Sequence, residues 1–176
     1  MELFEKLLTL VEGETIDFKS SFPHVKSELL KDIISFANGH SQKNKYILYG
    51  VKDREGTKEL VGLEIFVDQS NIDQLLFENI EPHIDIQLHT VFYKEMKFQV
   101  LEIKPDNRPY MMKKKYKNEI NKGSMWIRRG ATNDFVTRAY LEKMYEMDYV
   151  ELKILDGHLS AINPESGCAN FTLQNK

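Results

Sequence analysis

Cysteine is nearly absent: the single Cys168 has no partner for an internal disulfide. The five histidines, His24, His40, His83, His89 and His158, are scattered, and no Cys or His cluster has zinc-site spacing. No apolar run approaches the roughly 18–20 residues of a membrane helix. The opening stretch MELFEKLLTLVEGE mixes acids with apolar residues, unlike the basic-then-apolar start of a secretory leader. A G-x-x-x-x-G-K-[ST] loop is missing, so Walker-type ATP binding has no support, and NKGS at 121–124 reads only as a turn. Internal repeats and a domain-splitting linker are lacking too. These absences exclude a disulfide scaffold, a structural zinc module and a helical membrane protein, and the chain reads as cytoplasmic.

What is there fits one globular core. The 176 residues are 41% hydrophobic and 29% charged, enough for one sizeable core and too few for two comfortable ones. The net charge of −3 hides a strong segregation. Residues 108–129 hold Arg108, Lys113, Lys114, Lys115, Lys117, Lys122, Arg128 and Arg129 against Glu119 alone; eight minus one gives +7, leaving −10 on the remainder.

Periodicity sorts the chain into alternating elements. Leu3, Phe4, Leu7, Leu8 and Val11 have helical spacing and predict a first helix ending near Gly13. In TIDFKSSF, Ile16 and Phe18 alternate with Asp17 and Lys19, as in a short strand with one wet face. Leu29, Leu30, Ile33, Ile34 and Ala37 form the apolar stripe of a second helix that stops at Asn38-Gly39. KYILYGV (45–51) is almost continuous in β-formers and predicts a central strand covered on both faces. KDREG is a turn, and KELVGL a short strand after it. Ile72, Leu75, Leu76 and Ile80 build a third helix halted by Pro82, and IDIQLHTVFY and KFQVLEIKP pair as a hairpin joined at KEM. The basic stretch is mostly loop, SMWIRRG is a strand, and Val136, Tyr140, Leu141 and Met144 mark a last helix. The expected fold is a single α/β domain, a mixed sheet flanked by helices, over 1–149. Residues 150–176 are expected to be a loosely structured C-terminal extension, whose Leu159, Ile162, Phe171 and Leu173 could dock or pair with a second copy in a homo-oligomer.

Five motifs in order, EGETIDFKSS, LLKDIISFANG, YILYGVKD, RPYMM and WIRRGATN, resemble the Schlafen AlbA-like domain over about residues 10–145. That resemblance implies a mixed sheet with flanking helices and nucleic acid, DNA or RNA, as the usual partner. Some Schlafen members cleave RNA with three carboxylates, which fall here on Glu12, Asp17 and Asp53. The implied ion for such chemistry is Mg²⁺ or Mn²⁺, held by those same residues with positions left open for water and phosphate. Two departures stand out: Asp17 is one methylene shorter than the family's usual Glu, and GHSQKNK replaces a glycine pair before the central strand.

The residues support three readings. Lysines and arginines at 108–129 can neutralise phosphates, and Tyr110, Tyr116 and Trp126 are interleaved with them for stacking on unpaired bases. On that reading the chain is a nucleic-acid-binding domain, serving as a transcriptional regulator or defence component. The lysine run is equally what a solvated loop looks like, and Trp126 what a core strand carries. Of Arg128 and Arg129, alternation sends one to solvent and one to a carboxylate. The second reading is a metal-dependent endoribonuclease using Glu12, Asp17 and Asp53 as catalytic and metal-binding residues, with Glu14 and Lys19 tuning them. The bland counterpart makes Asp17 and Lys19 a wet strand face and Asp53 a turn residue. The third reading is a protein-interaction module whose lysines meet an acidic partner.

Overall fold

Alternation along β1 (Ile16–Lys19) decides which of its side chains meets which layer of the protein, so the strand is the natural starting point. The computed structural model describes residues 2–41, 43–54, 56–106 and 108–147 (side chains as far as 145), and the backbone of 151–155, 158–163 and 167–171. Around β1 the order is α1 (Glu2–Leu8), α2 (Lys26–Ala37), β2 (Lys45–Tyr49), β3 (Val51–Arg54), β4 (Thr57–Leu60), α3 (Gln69–Asn79) and β5 (Ile80–Glu81). There follow β6 (Asp85–Tyr93), β7 (Met96–Lys104), β8 (Met111–Met112), β9 (Trp126–Arg129), β10 (Thr132–Phe135) and α4 (Arg138–Met147). Last come β11 (Glu151–Leu155), β12 (His158–Asn163) and β13 (Gly167–Phe171). None of the described helices is long and apolar enough to cross a membrane.

Residues 1–137 form one unit, built on a four-stranded mixed sheet in the order β1-β2-β7-β6. β1 runs parallel to β2, with Asp17 opposite Ile47, while β2–β7 and β7–β6 are antiparallel. Both sheet faces are covered, as the apolar run of β2 implies. On one face Ile47, Tyr49, Leu101 and Ile103 pack with Leu30, Ile33 and Ile34 of α2 and Ile72 and Leu76 of α3. On the other, Ile16, Phe18, Leu48, Phe98 and Val100 enclose Phe4 and Leu7 of α1. The α/β architecture with a mixed sheet between helices is therefore present.

Local differences from the sequence reading have physical causes. The first helix stops at Leu8, because the N–H groups of Thr9 and Leu10 bond to Lys6 and Leu7, tightening the last turn, while the Thr9 hydroxyl also donates to the Lys6 carbonyl at 2.7 Å. KDREG is a hairpin rather than a turn alone: its Lys-Asp-Arg lies in β3, paired with β4. The β6–β7 hairpin closes through the two residues Lys94 and Glu95, both at positive φ (47° and 62°), the left-handed pair that suits a tight two-residue connection.

Residues 138–176 form a second unit. It holds α4 and an antiparallel sheet in which β12 lies between β11 and β13. Three paired strands thus lie where the sequence pattern suggested a loose extension. The side chains of Leu159, Ile162, Phe171 and Leu173 lie outside the described residues.

A buried ring of charge and an exposed lysine loop

Because Ile16 and Phe18 face the α1 side, Asp17 and Lys19 must face α2 and β9. That face is not wet: Asp17 is only 5% exposed. Arg128 reaches it from β9, its Nη2 donating to Asp17 Oδ1 at 3.1 Å. Lys19 Nζ lies 3.0 Å from Asp17 Oδ2 and 3.1 Å from Asp32 Oδ2. Asp32 Oδ1 accepts from Asn133 Nδ2 at 2.7 Å, and Asn133 Oδ1 accepts from Arg128 Nη1 at 3.1 Å. Arg128, Asp17, Lys19, Asp32 and Asn133 therefore close a ring of side chains joining β1, α2, β9 and β10. Arg128 also donates Nε to the Gly13 carbonyl at 3.3 Å and lies over the Phe36 ring at 4.9 Å. Although burial opposes the charge on Lys19, Asp32 and then Asp17 hold its ammonium above the ordinary lysine range.

Glu12 and Asp53 flank this ring. The Phe18 N–H donates to Glu12 Oε1 at 3.2 Å. Burial, then the neighbouring Asp17 charge, raise the Glu12 carboxyl above its usual range, with Asp53 adding to the push and Lys58 opposing it. Glu12 thus lies within electrostatic reach of both aspartates. Asp53 sits directly opposite Lys58 on the β3–β4 hairpin and pairs with it through Oδ2, while its Oδ1 accepts the Gly56 N–H at 2.9 Å. The hydrogen bond from Lys58 holds the Asp53 carboxyl below the usual carboxylate range, with the Gly56 N–H assisting. A cleft of about 530 Å³ opens beside Asp53, lined also by Lys19, Phe22, His24, Asp32 and Lys52.

As a metal centre the expected trio does not fit. Asp17 presents its oxygens to Arg128 and Lys19, and Asp53 presents its own to Gly56 and Lys58. A divalent ion needs such oxygens at roughly 2–2.6 Å. Among the described residues no group of three or more His, Cys, Asp or Glu is arranged to hold a metal ion. Of the expected ligand set Glu12, Asp17 and Asp53, the two aspartates are charge-paired and Glu12 accepts the Phe18 N–H.

The basic segment divides in two. Arg108, expected at the nucleic-acid surface, is 5% exposed and caps the end of α2, with Nη1 donating to the carbonyls of Gly39 at 2.7 Å and His40 at 3.2 Å. Arg128 is 3% exposed and belongs to the ring. Both placements share a cause: carbonyls and carboxylates from other segments accept from these guanidinium groups. Arg129 is exposed, with Nη1 3.5 Å from Asp134. Lys114, Lys115, Lys117 and Lys122 are exposed, whereas Lys113 is half-buried against Phe77, donating to its carbonyl with Nζ 4.9 Å from the ring centroid. Removing the two buried arginines leaves six cations against Glu119, or +5.

The lysines ride on a closed loop. Its neck is tied by Met112 N–H to Ser124 at 3.0 Å and Gly123 N–H to Met112 at 2.7 Å, and its tip by Tyr116 N–H to Ile120 at 2.9 Å. Ile120 is buried in the larger core and Glu119 accepts from Ser27 of α2, so the loop has a fixed base. Of the interleaved aromatics, Tyr110 and Trp126 are not free as stacking faces. Tyr110 is fully buried with its hydroxyl on Asp106 at 2.8 Å, Trp126 lies in the core, and Tyr116 packs half-buried against it.

Sequence reasoning missed Asp32, Lys58 and Asn133. Asp32 had a signal, a carboxylate inside the apolar stripe of α2; Lys58 had one too, since a hairpin turning at Gly56 sets it across from Asp53. Asn133 had none.

Comparison with known proteins adds the lineage of this arrangement. The family model described as Schlafen, AlbA_2 matches residues 12–137, which include the ring, the hairpin and the whole lysine loop. Among solved structures, the DIP2311 protein from Corynebacterium diphtheriae is similar with a TM-score of 0.55 at 15% identity over 86% of this chain. This chain spans 30% of that protein's length, and the likeness is one of fold. The N-terminal domain of a protein from Nitrosomonas europaea, described as ATP-dependent DNA helicase RecG-related, has a TM-score of 0.48 at 19% identity, covering 78% of this chain and 90% of that one. No curated protein matches the chain.

Proposed function

The chain belongs to the Schlafen AlbA_2 family, and on that premise we propose that it is a nucleic-acid-binding domain whose lysine loop grips the phosphate backbone. One observation carries this reading: Lys114, Lys115, Lys117 and Lys122 are exposed on a loop with a fixed base in an otherwise acidic chain. Such cations displace counterions from a polyanion, and the acidic remainder steers it away from other surfaces. With Tyr110 and Trp126 buried and Tyr116 half-buried, the loop offers chiefly charge, so it positions a strand without reading its bases. This reading invokes no cleavage, since Asp17 and Asp53, two of the three carboxylates that would hold an ion, are paired with lysines and an arginine.

The test is the reversal of Lys114, Lys115 and Lys117 to Glu, assayed on duplex DNA, single strands and transfer RNA with and without Mn²⁺. Affinity should fall by a similar factor for unrelated sequences. The log–log salt dependence should flatten by about 0.7–0.9 for each phosphate that the loop no longer neutralises. Unchanged affinity and slope would leave the lysines as a solvated loop. Wild-type protein that ignores every nucleic acid but captures an acidic polypeptide would favour the protein-interaction reading, and Mn²⁺-dependent cutting the nuclease reading.

A further inference from the structure

The cation nearest Asp53 belongs to the protein itself. Lys58 and Asp53 face each other across the β3–β4 hairpin as an ion pair, each side chain 11% exposed. The Lys58 ammonium also lies over the Phe18 ring, 3.8 Å from its centroid, where the ring's negative face favours a cation. Phe18 is the residue whose N–H holds Glu12, so the hairpin brings its lysine to the same corner as that carboxylate. Counting charge at this corner, Glu12, Asp17, Asp32 and Asp53 give −4, and Lys19, Lys58 and Arg128 give +3. Only −1 remains to attract an added ion.

We propose that the Lys58 ammonium is a built-in cation at Asp53, in the corner that Asp53 shares with Glu12, and that it keeps a divalent metal out of that corner. To enter, an ion must strip Lys58 from Asp53 and leave a lysine one-tenth exposed beside a new positive charge. Both steps cost energy in a partly desolvated corner. Lys58 is thereby the residue that fixes the ion preference of the cluster.

The experiment uses the full chain and Mn²⁺ alone, with free Mn²⁺ followed by electron paramagnetic resonance. No nucleic acid enters, so its outcome is separate from that of the nucleic-acid reading. Lys58→Met keeps the apolar stem over Phe18 and removes the charge. Its Mn²⁺ affinity should exceed that of wild type by about ten-fold or more. Lys58→Arg should behave as wild type, and Lys58→Met combined with Asp53→Asn should lose the gain. If circular dichroism finds Lys58→Met unfolded, Lys58→Gln, which keeps a donor for Asp53 without the charge, carries the same comparison. Equal titrations of wild type and the neutral variant, whether both bind or neither does, would overturn the proposal.

Discussion

Asn38, fully buried just past α2, joins three parts of the chain with one amide. Its Nδ2 donates to the carbonyls of Tyr110 at 2.8 Å and Trp126 at 2.9 Å, and its Oδ1 accepts the Tyr110 N–H at 2.7 Å. Asn38→Ala strands these backbone groups without water, which should cost about 2–4 kcal/mol in urea unfolding; a cost below about 0.5 kcal/mol would refute this role. Lys45, also fully buried, donates to the carbonyls of Phe36 and of Gly39, the latter at 3.1 Å. Burial and then the nearby Arg108 push its ammonium down to about 7 from 10.5, with Glu14 opposing. A lysine whose folded value lies below its unfolded one gives up its proton first in the folded state. Stability therefore rises with pH between about 7 and 10.5 and is flat in this respect below that window. Urea unfolding of wild type at pH 7 and 9.5 should show this increment, and Lys45→Met should lack it; parallel profiles would count against the assignment.

At the scale of elements, one glycine redirects the chain from the sheet to the hairpin that carries Asp53 and Lys58. Gly50 lies between β2 and β3 at φ 95°, and a Cβ there would stand 2.9 Å from Phe98 Cδ1. Its N–H donates to Lys19 at 2.8 Å and its carbonyl accepts from Val61 and Gly62 at 2.8 and 2.9 Å, so the bend is fixed from both sides. Gly50→Ala combines a left-handed backbone with a clash in the smaller core, and should destabilise by about 2–4 kcal/mol in chemical unfolding. The ladder then aligns what the bend aims: Asp53 with Lys58, and on β9–β10 Arg128 with Asn133. A substitution tolerated within about 0.5 kcal/mol would show that β3 finds its direction by other means.

For the whole molecule, both apolar cores are assembled from residues between Phe4 and Trp126. A chain ending at Met147 keeps every one of these residues. It should melt cooperatively within a few degrees of the full chain, since a loss of 1 kcal/mol moves the midpoint of a domain this size by about 2–4 °C. Loss of soluble, folded protein on that truncation would place part of the stabilising core beyond residue 147. The same fragment retains the lysine loop, so the proposed nucleic-acid affinity should be unchanged.

Periodicity along the chain determined the layers. The stripe of α2, the β-rich run 45–51 and the hairpin of β6 and β7 were legible because helix and strand periods are properties of neighbouring residues. The charge segregation of 108–129 was legible for the same reason, as was the pairing of one arginine of Arg128-Arg129 with a carboxylate, since adjacent strand residues face opposite ways. What only the tertiary structure decided is where each charge ends. Arg128 meets Asp17 across 111 residues of chain, and Arg108 meets the end of α2 across 69. No local pattern records such a meeting. A buried charge is stable only where a partner from another segment satisfies it, and the fold alone sets which segments arrive there.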